Sequence, residues 1–336
     1  MSFNNRLIYI GLLLVSTFLA GMSQQAFSQD THKLLSPSVL PGNGLARFDF
    51  FYAGEGKSEN MYIVRNGKID WAYTHTGKGE ISDAVMLSNK NILFAHQYGI
   101  TEISPDKKIV WNYDTPEGCE IHTAQPIGKE HVLFLQNGNP AKLIVVNKMT
   151  GKIVKELVLP VGNPTGIHGH FRNARLTSKG TILVSHMDMG KVCEYDANGK
   201  ELLSIDAPGV WSAQELKNGN ILITTRKAII ELNRKKETIW EYTLTDIPDY
   251  DISSPQKAIR LLNGNTLINT WFNQWNGNGK VDINNQPVQA IEVTPEKKIV
   301  WALRSWSEPN DLGPSTTIIP LNESGVNENV HFGNIH

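Results

Sequence analysis

The sequence predicts an all-β chain, a six-bladed β-propeller closed by a C-terminal strand that completes the first blade. A turn-plus-strand unit recurs as Leu87-Ser-Asn-Lys-Asn-Ile-Leu-Phe-Ala95, Leu216-Lys-Asn-Gly-Asn-Ile-Leu-Ile-Thr224 and Leu262-Asn-Gly-Asn-Thr-Leu-Ile-Asn269, with looser copies at Ile127–Leu135 and Leu176–Ser185. A later strand recurs as Lys68–Trp71, Lys108–Trp111, Thr238–Trp240 and Lys298–Trp301, with weaker copies at Lys152–Lys155 and Lys200–Leu203. Self-similarity at a period of roughly 40 to 50 residues marks a propeller whose blades each hold four strands. Beyond residue 30 the apolar residues alternate or run over short stretches between Gly, Asn, Asp and Lys, without a helical period.

The elements follow in chain order. Arg6, an apolar run from Leu7 to Ala20 and the small-x-small ending Ala26-Phe-Ser28 read as a signal peptide over residues 1–28. The run is shorter than the roughly 20 residues a membrane span needs, and no later segment approaches that length. Export to a periplasm or the exterior is the expectation, with no membrane span in the mature chain. An N-terminal extension over 29–46 precedes a propeller over 47–321, and a tail occupies 322–336.

Blade 1 begins at Arg47–Tyr52 and lacks the leading strand of the others, which Thr316–Leu321 supplies from the far end of the chain. That closure removes the exposed edges of an open array. Blades 2 to 6 span 83–121, 122–167, 168–209, 210–252 and 253–308; a miscount of the long third and sixth units would make the total five or seven. The recurring Trp residues are assigned to packing between blades. Within blade 6, Trp271–Gln286 reads as a long hairpin. Its Asn276, Asn278, Lys280 and Asp282 lack the carboxylates and closing Glu of a calcium loop.

Composition narrows the function classes. Lys and Arg number 32 against 33 Asp and Glu, a formal net charge of -1, so no basic face for nucleic acid is expected. Cys119 and Cys193 fall on different blades at different strand positions, and no bond between them is expected. The partner expected is a small molecule or a saccharide, and the chain is read as a monomer.

Registering the second strands on Asn91, His131, Thr181, Asn220 and Asn265 places His96, Gln136, His186, Thr225 and Thr270 in one column, five residues further on. The loops entering the first strands add His75, His122, His168 and His170, with Arg172 and Trp211 close behind. Imidazoles at converging blade corners suit acid–base catalysis, nucleophilic transfer or metal ligation. The catalytic candidates are therefore His168, His170 and His122. His75, His96, His186, Gln136, Arg172, Arg226, Trp211 and Trp271 are candidates for substrate binding, the arginines as anion grips and the tryptophans as stacking faces. A divalent metal at the His cluster is an open alternative, although no spacing matches a strong metal motif. Asp83, Glu80 and Glu120 are the acids near the mouth and read equally as turn residues. No Gly-x-Ser-x-Gly elbow and no phosphate-binding loop is present.

The segments Leu216–Trp240 and Leu176–Asp196, an Asn-Gly-Asn-Ile-Leu type of strand followed by a Glu-Leu or Glu-Tyr-Asp turn, resemble quinoprotein-like and arylsulfotransferase-like propeller repeats. The likeness covers most of residues 47–321. It implies a periplasmic six-bladed propeller, and its arylsulfotransferase branch implies a mouth histidine that carries sulfate, at His168 or His170, with further His and Arg holding the group. Secreted propeller polysaccharide lyases and related glycosidases resemble the chain in architecture. The residue-level expectation is a carbohydrate-active enzyme, a lyase or hydrolase acting on an anionic saccharide; sulfate transfer to phenols and a non-catalytic binding or envelope-assembly scaffold are the alternatives.

Overall fold

A computed structural model describes residues 39–336 apart from 57, 244–249, 251, 253, 273–285 and 324. The expected signal segment, the start of the N-terminal extension and most of the long blade 6 hairpin lie outside the described residues. Among the described residues there is no α-helix, only two short 3-10 turns at Gly44–Ala46 and Ile167–Gly169. No helix among the described residues is long and apolar enough to cross a membrane.

Among the described residues, twenty-four strands form six separate four-stranded sheets. Blade 1 contains Phe50–Gly54 (β1), Glu59–Arg65 (β2) and Lys68–His75 (β3). Blade 2 contains Asp83–Met86 (β4), Ile92–Ala95 (β5), Gly99–Ile103 (β6) and Ile109–Asp114 (β7). Blade 3 follows with Glu120–Ile127 (β8), His131–Asn137 (β9), Lys142–Asn147 (β10) and Ile153–Val158 (β11), two residues earlier than the repeat pattern suggests. Blade 4 has Phe171–Leu176 (β12), Ile182–His186 (β13), Lys191–Tyr195 (β14) and Glu201–Asp206 (β15). Blade 5 has Val210–Glu215 (β16), Ile221–Thr225 (β17), Ala228–Leu232 (β18) and Thr238–Thr243 (β19). Blade 6 has Ser254–Arg260 (β20), Thr266–Trp271 (β21), Ala290–Val293 (β22) and Ile299–Leu303 (β23). The last strand, Thr317–Pro320 (β24), pairs antiparallel with β1 and completes blade 1, as the sequence anticipates.

Burial explains the strand chemistry. The second strands, such as β5, β13 and β17, are buried on both faces and read as short runs rich in Ile, Leu, Val and Phe, whereas fourth strands such as β7 and β11 alternate toward solvent. Their hairpins repeat one turn: Gly219 and Gly264 donate to the carbonyls of Leu216 and Leu261 with φ of 82° and 87°. Lys90 takes the same left-handed position at φ 71°, where a side chain is strained.

Two devices tie neighbouring blades together. Trp71 and Trp240 donate their indole N–H to the carbonyls of Pro105 and Pro295 in the next blade, and each stacks on the tyrosine two residues on. The buried carboxylates Glu102, Glu231 and Glu292 each accept from an Asn of their own hairpin, Asn91, Asn220 and Asn265, at 2.6–2.7 Å. Each also pairs with a cation of the following blade: Lys148, Arg260 and, across the closing seam, Arg47. Glu194 does the same with Thr181 and Arg234. Both cysteines are free.

After β24 the chain crosses the hairpin end of the blades. The Glu323 carboxylate accepts from the backbone of Leu262, that of Glu328 from Ser88, and Gly333 donates to Gly180. Val326 reaches the central channel and Phe332 is buried between blades 3 and 4.

Candidate functional site

The opposite end of the channel is built by one repeated irregularity. At the start of the innermost strands of blades 3 to 6 the pairing register slips, between Ile121 and Ala124, Phe171 and Asn173, Val210 and Ser212, and Pro255 and Lys257. A bulge of this kind re-aims the extra side chain. Arg172, Trp211 and Gln256 are the ejected residues, and with Ser82 of blade 2 they line a cavity of about 130 Å³ that also touches Glu55, Glu80, His168, Lys257 and Trp271. The next residue of each strand forms a second ring deeper in the channel, where Asp83, Asn173, Ser212, Lys257 and Thr317 face a smaller cavity of about 60 Å³. An alanine then follows in five blades, Ala84, Ala124, Ala174, Ala213 and Ala258, all buried where sheets press together.

The deeper ring is knotted shut. Asp83 accepts from Arg175 at 2.8 Å, Lys257 at 2.7 Å and the Thr123 hydroxyl at 2.9 Å, and Lys257 also donates to Thr317. Residues from four blades thus meet at one carboxylate, and Thr317 of blade 1 joins them through Lys257. Burial would raise the Asp83 carboxyl, but the Arg175 and Lys257 charges hold it well below the usual range.

Above this floor lies a dense polar cluster. His122 is fully buried, with Nε2 3.0 Å from Glu120 Oε2 and Nδ1 3.0 Å from the Ser82 hydroxyl. Arg172 donates to Glu80 at 2.7 Å and lies 3.1 Å from the same Nδ1. His168 rises beside them, its Nδ1 2.8 Å from Glu120 Oε2 and its side chain 51% exposed. Although burial opposes it, the His122 contact and the Arg172 charge hold Glu80 well below the ordinary carboxylate range. Glu55, buried against Glu80, is pushed the other way by burial and by its neighbour's charge. The wall is thus asymmetric, with one carboxyl shifted toward its ionised form and its neighbour toward its protonated form. Two donors in it have no hydrogen-bond partner among the described residues, Arg172 Nε and Trp211 Nε1.

Of the other sequence candidates, Trp271 lines the cavity and the rest sit at this end of the blades away from it. His75 and His96 pack ring to ring at 4.5 Å between blades 1 and 2, with His96 Nε2 on the Thr101 hydroxyl. His186 takes the Tyr195 hydroxyl at 2.9 Å and is enclosed. His170, two residues from His168, follows a 3-10 turn and donates Nε2–H to the Asn163 carbonyl, so the pair does not point the same way as alternate residues of a strand would. Gln136 is buried, and Thr225 and Thr270 bond backbone carbonyls. Arg226 is exposed and stacks on the Trp211 ring at 5.4 Å, as Arg172 does at 5.2 Å, so Trp211 already has cationic neighbours.

Glu55, Ser82, Gln256 and Lys257 were not among the sequence candidates, and Glu80 and Glu120 carry more than the turn role first given them. A signal for most of them exists: the triplets Ser82-Asp83-Ala84, His122-Thr123-Ala124, Arg172-Asn173-Ala174, Trp211-Ser212-Ala213 and Gln256-Lys257-Ala258 mark the two rings.

Glu80, His122 and His168 bring one carboxylate and two imidazole donors within 4.8 Å of one another, a set a divalent ion could use. Arg172 Nη1, however, already bridges Glu80 Oε1 and His122 Nδ1. A guanidinium holds the position a metal would need, and the trio does not fit one while Arg172 stays.

No family model matches the chain, and no curated protein does. Among solved structures it is similar to a protein of unknown function from Bacteroides caccae, at 25% identity and a TM-score of 0.70 over 82% of this chain and 100% of that one. A catalytically inactive histidine-to-alanine form of virginiamycin B lyase from Staphylococcus aureus, with quinupristin, matches at 13% identity and a TM-score of 0.52 over 76% and 84%. A functionally unknown protein from Desulfotomaculum acetoxidans matches at 10% and 0.52 over 82% and 100%. The likenesses to the Staphylococcus aureus and Desulfotomaculum acetoxidans proteins are of fold alone.

Proposed function

We propose that the mouth binds an anionic saccharide and cleaves it by elimination. The observation that carries this reading is His168: Glu120 holds its Nδ1, which leaves Nε2 available at the open edge of the cavity as a base. Glu55, pushed toward its protonated form by burial and by Glu80, is the proton donor in the same cavity for the departing oxygen. The unpartnered N–H groups of Arg172 and Trp211 suit the oxygens of a sugar carboxylate, whose charge must be neutralised before the neighbouring carbon loses a proton. Two-carboxylate hydrolysis is less well served. Glu55 and Glu80 touch one another, whereas hydrolases hold their acids roughly 5 Å or more apart across the scissile bond.

The virginiamycin B enzyme is a lyase on this architecture, which supports the scaffold's suitability and does not identify a substrate. Sulfate transfer is the second reading, favoured by the same free Nε2 of His168, which could accept a sulfuryl group. Export remains a proposal resting on residues 1–28. The test is to supply uronate-containing polysaccharides and follow the ultraviolet absorbance of the unsaturated product. His168→Ala should reduce that signal about a hundredfold or more with unchanged melting. Absence of product from every acidic polysaccharide, with transfer of sulfate from an aryl sulfate to a phenol, would replace elimination by the second reading; neither activity would leave the binding scaffold.

A further inference from the structure

Glu120 serves two imidazoles, and the second leads to a different chemistry from the first. From Glu120 Oε2 the contacts run 3.0 Å to His122 Nε2, and from His122 Nδ1 another 3.0 Å to Ser82 Oγ. Nδ1 lies 3.1 Å from Arg172 Nη1, which only donates, and 3.1 Å from Glu80 Oε1, which as a carboxylate only accepts; the tautomer that meets Arg172 with the Nδ1 lone pair turns Nε2–H toward Glu120. A carboxylate, an imidazole and a hydroxyl in line are the parts of an activated oxygen nucleophile. Ser82 is the only member of this chain that lines the cavity, while His122 is buried behind it. Ser82 Oγ also lies 3.1 Å from Glu80 Oε1, an alternative acceptor that Arg172 partly neutralises.

We infer that Ser82 is an acyl-accepting nucleophile and that the mouth cleaves short acyl esters, such as those on the hydroxyls of a saccharide. Ser82 Oγ attacks the ester carbonyl carbon as its proton passes to His122 Nδ1. The bond to the alcohol oxygen then breaks, and the alcohol leaves with that proton. Water attacks the acyl-Ser82 carbonyl, gives a proton to His122, and releases the carboxylic acid with the hydroxyl restored. The cationic Arg172, with its unpartnered Nε, is placed to meet the charge that develops on the carbonyl oxygen. The cavity of about 130 Å³, floored by Lys257, limits the acyl group to a small one. This step differs from the elimination reading in its base, His122 in place of His168, while both share Glu120 and Arg172.

The experiment treats the full-length protein with 4-nitrophenyl acetate and, separately, with a small alkyl fluorophosphonate, and maps the adduct by peptide mass spectrometry. Nitrophenol release and one phosphonyl group on Ser82 are expected, and Ser82→Ala and His122→Gln should each slow release about a thousandfold. No adduct, an adduct on another residue, or release unchanged in Ser82→Ala overturns the proposal. The adduct is read on the unaltered protein, so a folding defect in a variant cannot mask the answer. Neither probe contains a saccharide, so failure of the polysaccharide assay and failure of this one are separate results.

Discussion

The carboxylate of Glu120 lies 2.8 Å from His168 Nδ1 and its same oxygen lies 3.0 Å from His122 Nε2, so one acid orients two rings, His168 lining the cavity and His122 buried behind Ser82. Replacing Glu120 by Gln keeps its volume and removes its charge. Elimination of acidic polysaccharide and release of nitrophenol should then fall together, each at least about tenfold. Measured rates in which only one activity falls would show that the shared oxygen does not orient both rings.

Asp83 is the anion on which Lys257 and Arg175 both rest. Asp83→Asn leaves two cations without a countercharge in the channel, one of them, Lys257, already lowered by burial. The loss should be about 3–5 kcal/mol in urea unfolding. A change below about 1 kcal/mol would mean that water enters the channel and solvates them.

Burial holds the His186 imidazole down to about 4, against an ordinary value of 6.5. As pH falls, the unfolded chain takes this proton first. The stability gained from the neutral ring is therefore complete above about 6.5 and is lost on the way to about 4. Glu59, pushed up to about 7 mainly by burial, acts in the opposite sense, so the readout is the difference between variant and parent. His186→Gln should lose stability less steeply than the parent by about 1.4 kcal/mol per pH unit within that window. Parallel pH profiles would remove the claim.

Trp211→Phe deletes one unpartnered N–H while retaining a ring for Arg172 and Arg226 to cover. If that N–H receives a substrate oxygen in both ground and transition states, KM rises about five- to tenfold with kcat little changed. An unchanged KM would assign the indole to packing alone.

The propeller was readable because each blade repeats its turn and its Lys-Ile-Val-Trp strand, and repetition averages out the ambiguity of any single strand. The closing strand was readable from the missing first strand of blade 1. The site was harder to see. Registering hairpin strands put His96 and His186 in one column with Gln136, and all three are buried; His96 and His186 lie between sheets, because the end of a second strand faces the neighbouring blade. The mouth residues instead follow from bulges, which break the two-residue period that such alignment assumes. Glu55 had no repeat to mark it, since it lies in the hairpin between β1 and β2 and meets Glu80 of the loop that enters blade 2.

With Val326 and the crossing tail beneath, and the Asp83 knot above it, the axis of the toroid is stoppered twice. A long polymer cannot be threaded through such a body. Whatever enters must retreat by the route it came, past Trp211 and Trp271, so chain termini or pendant groups fit this mouth better than mid-strand segments.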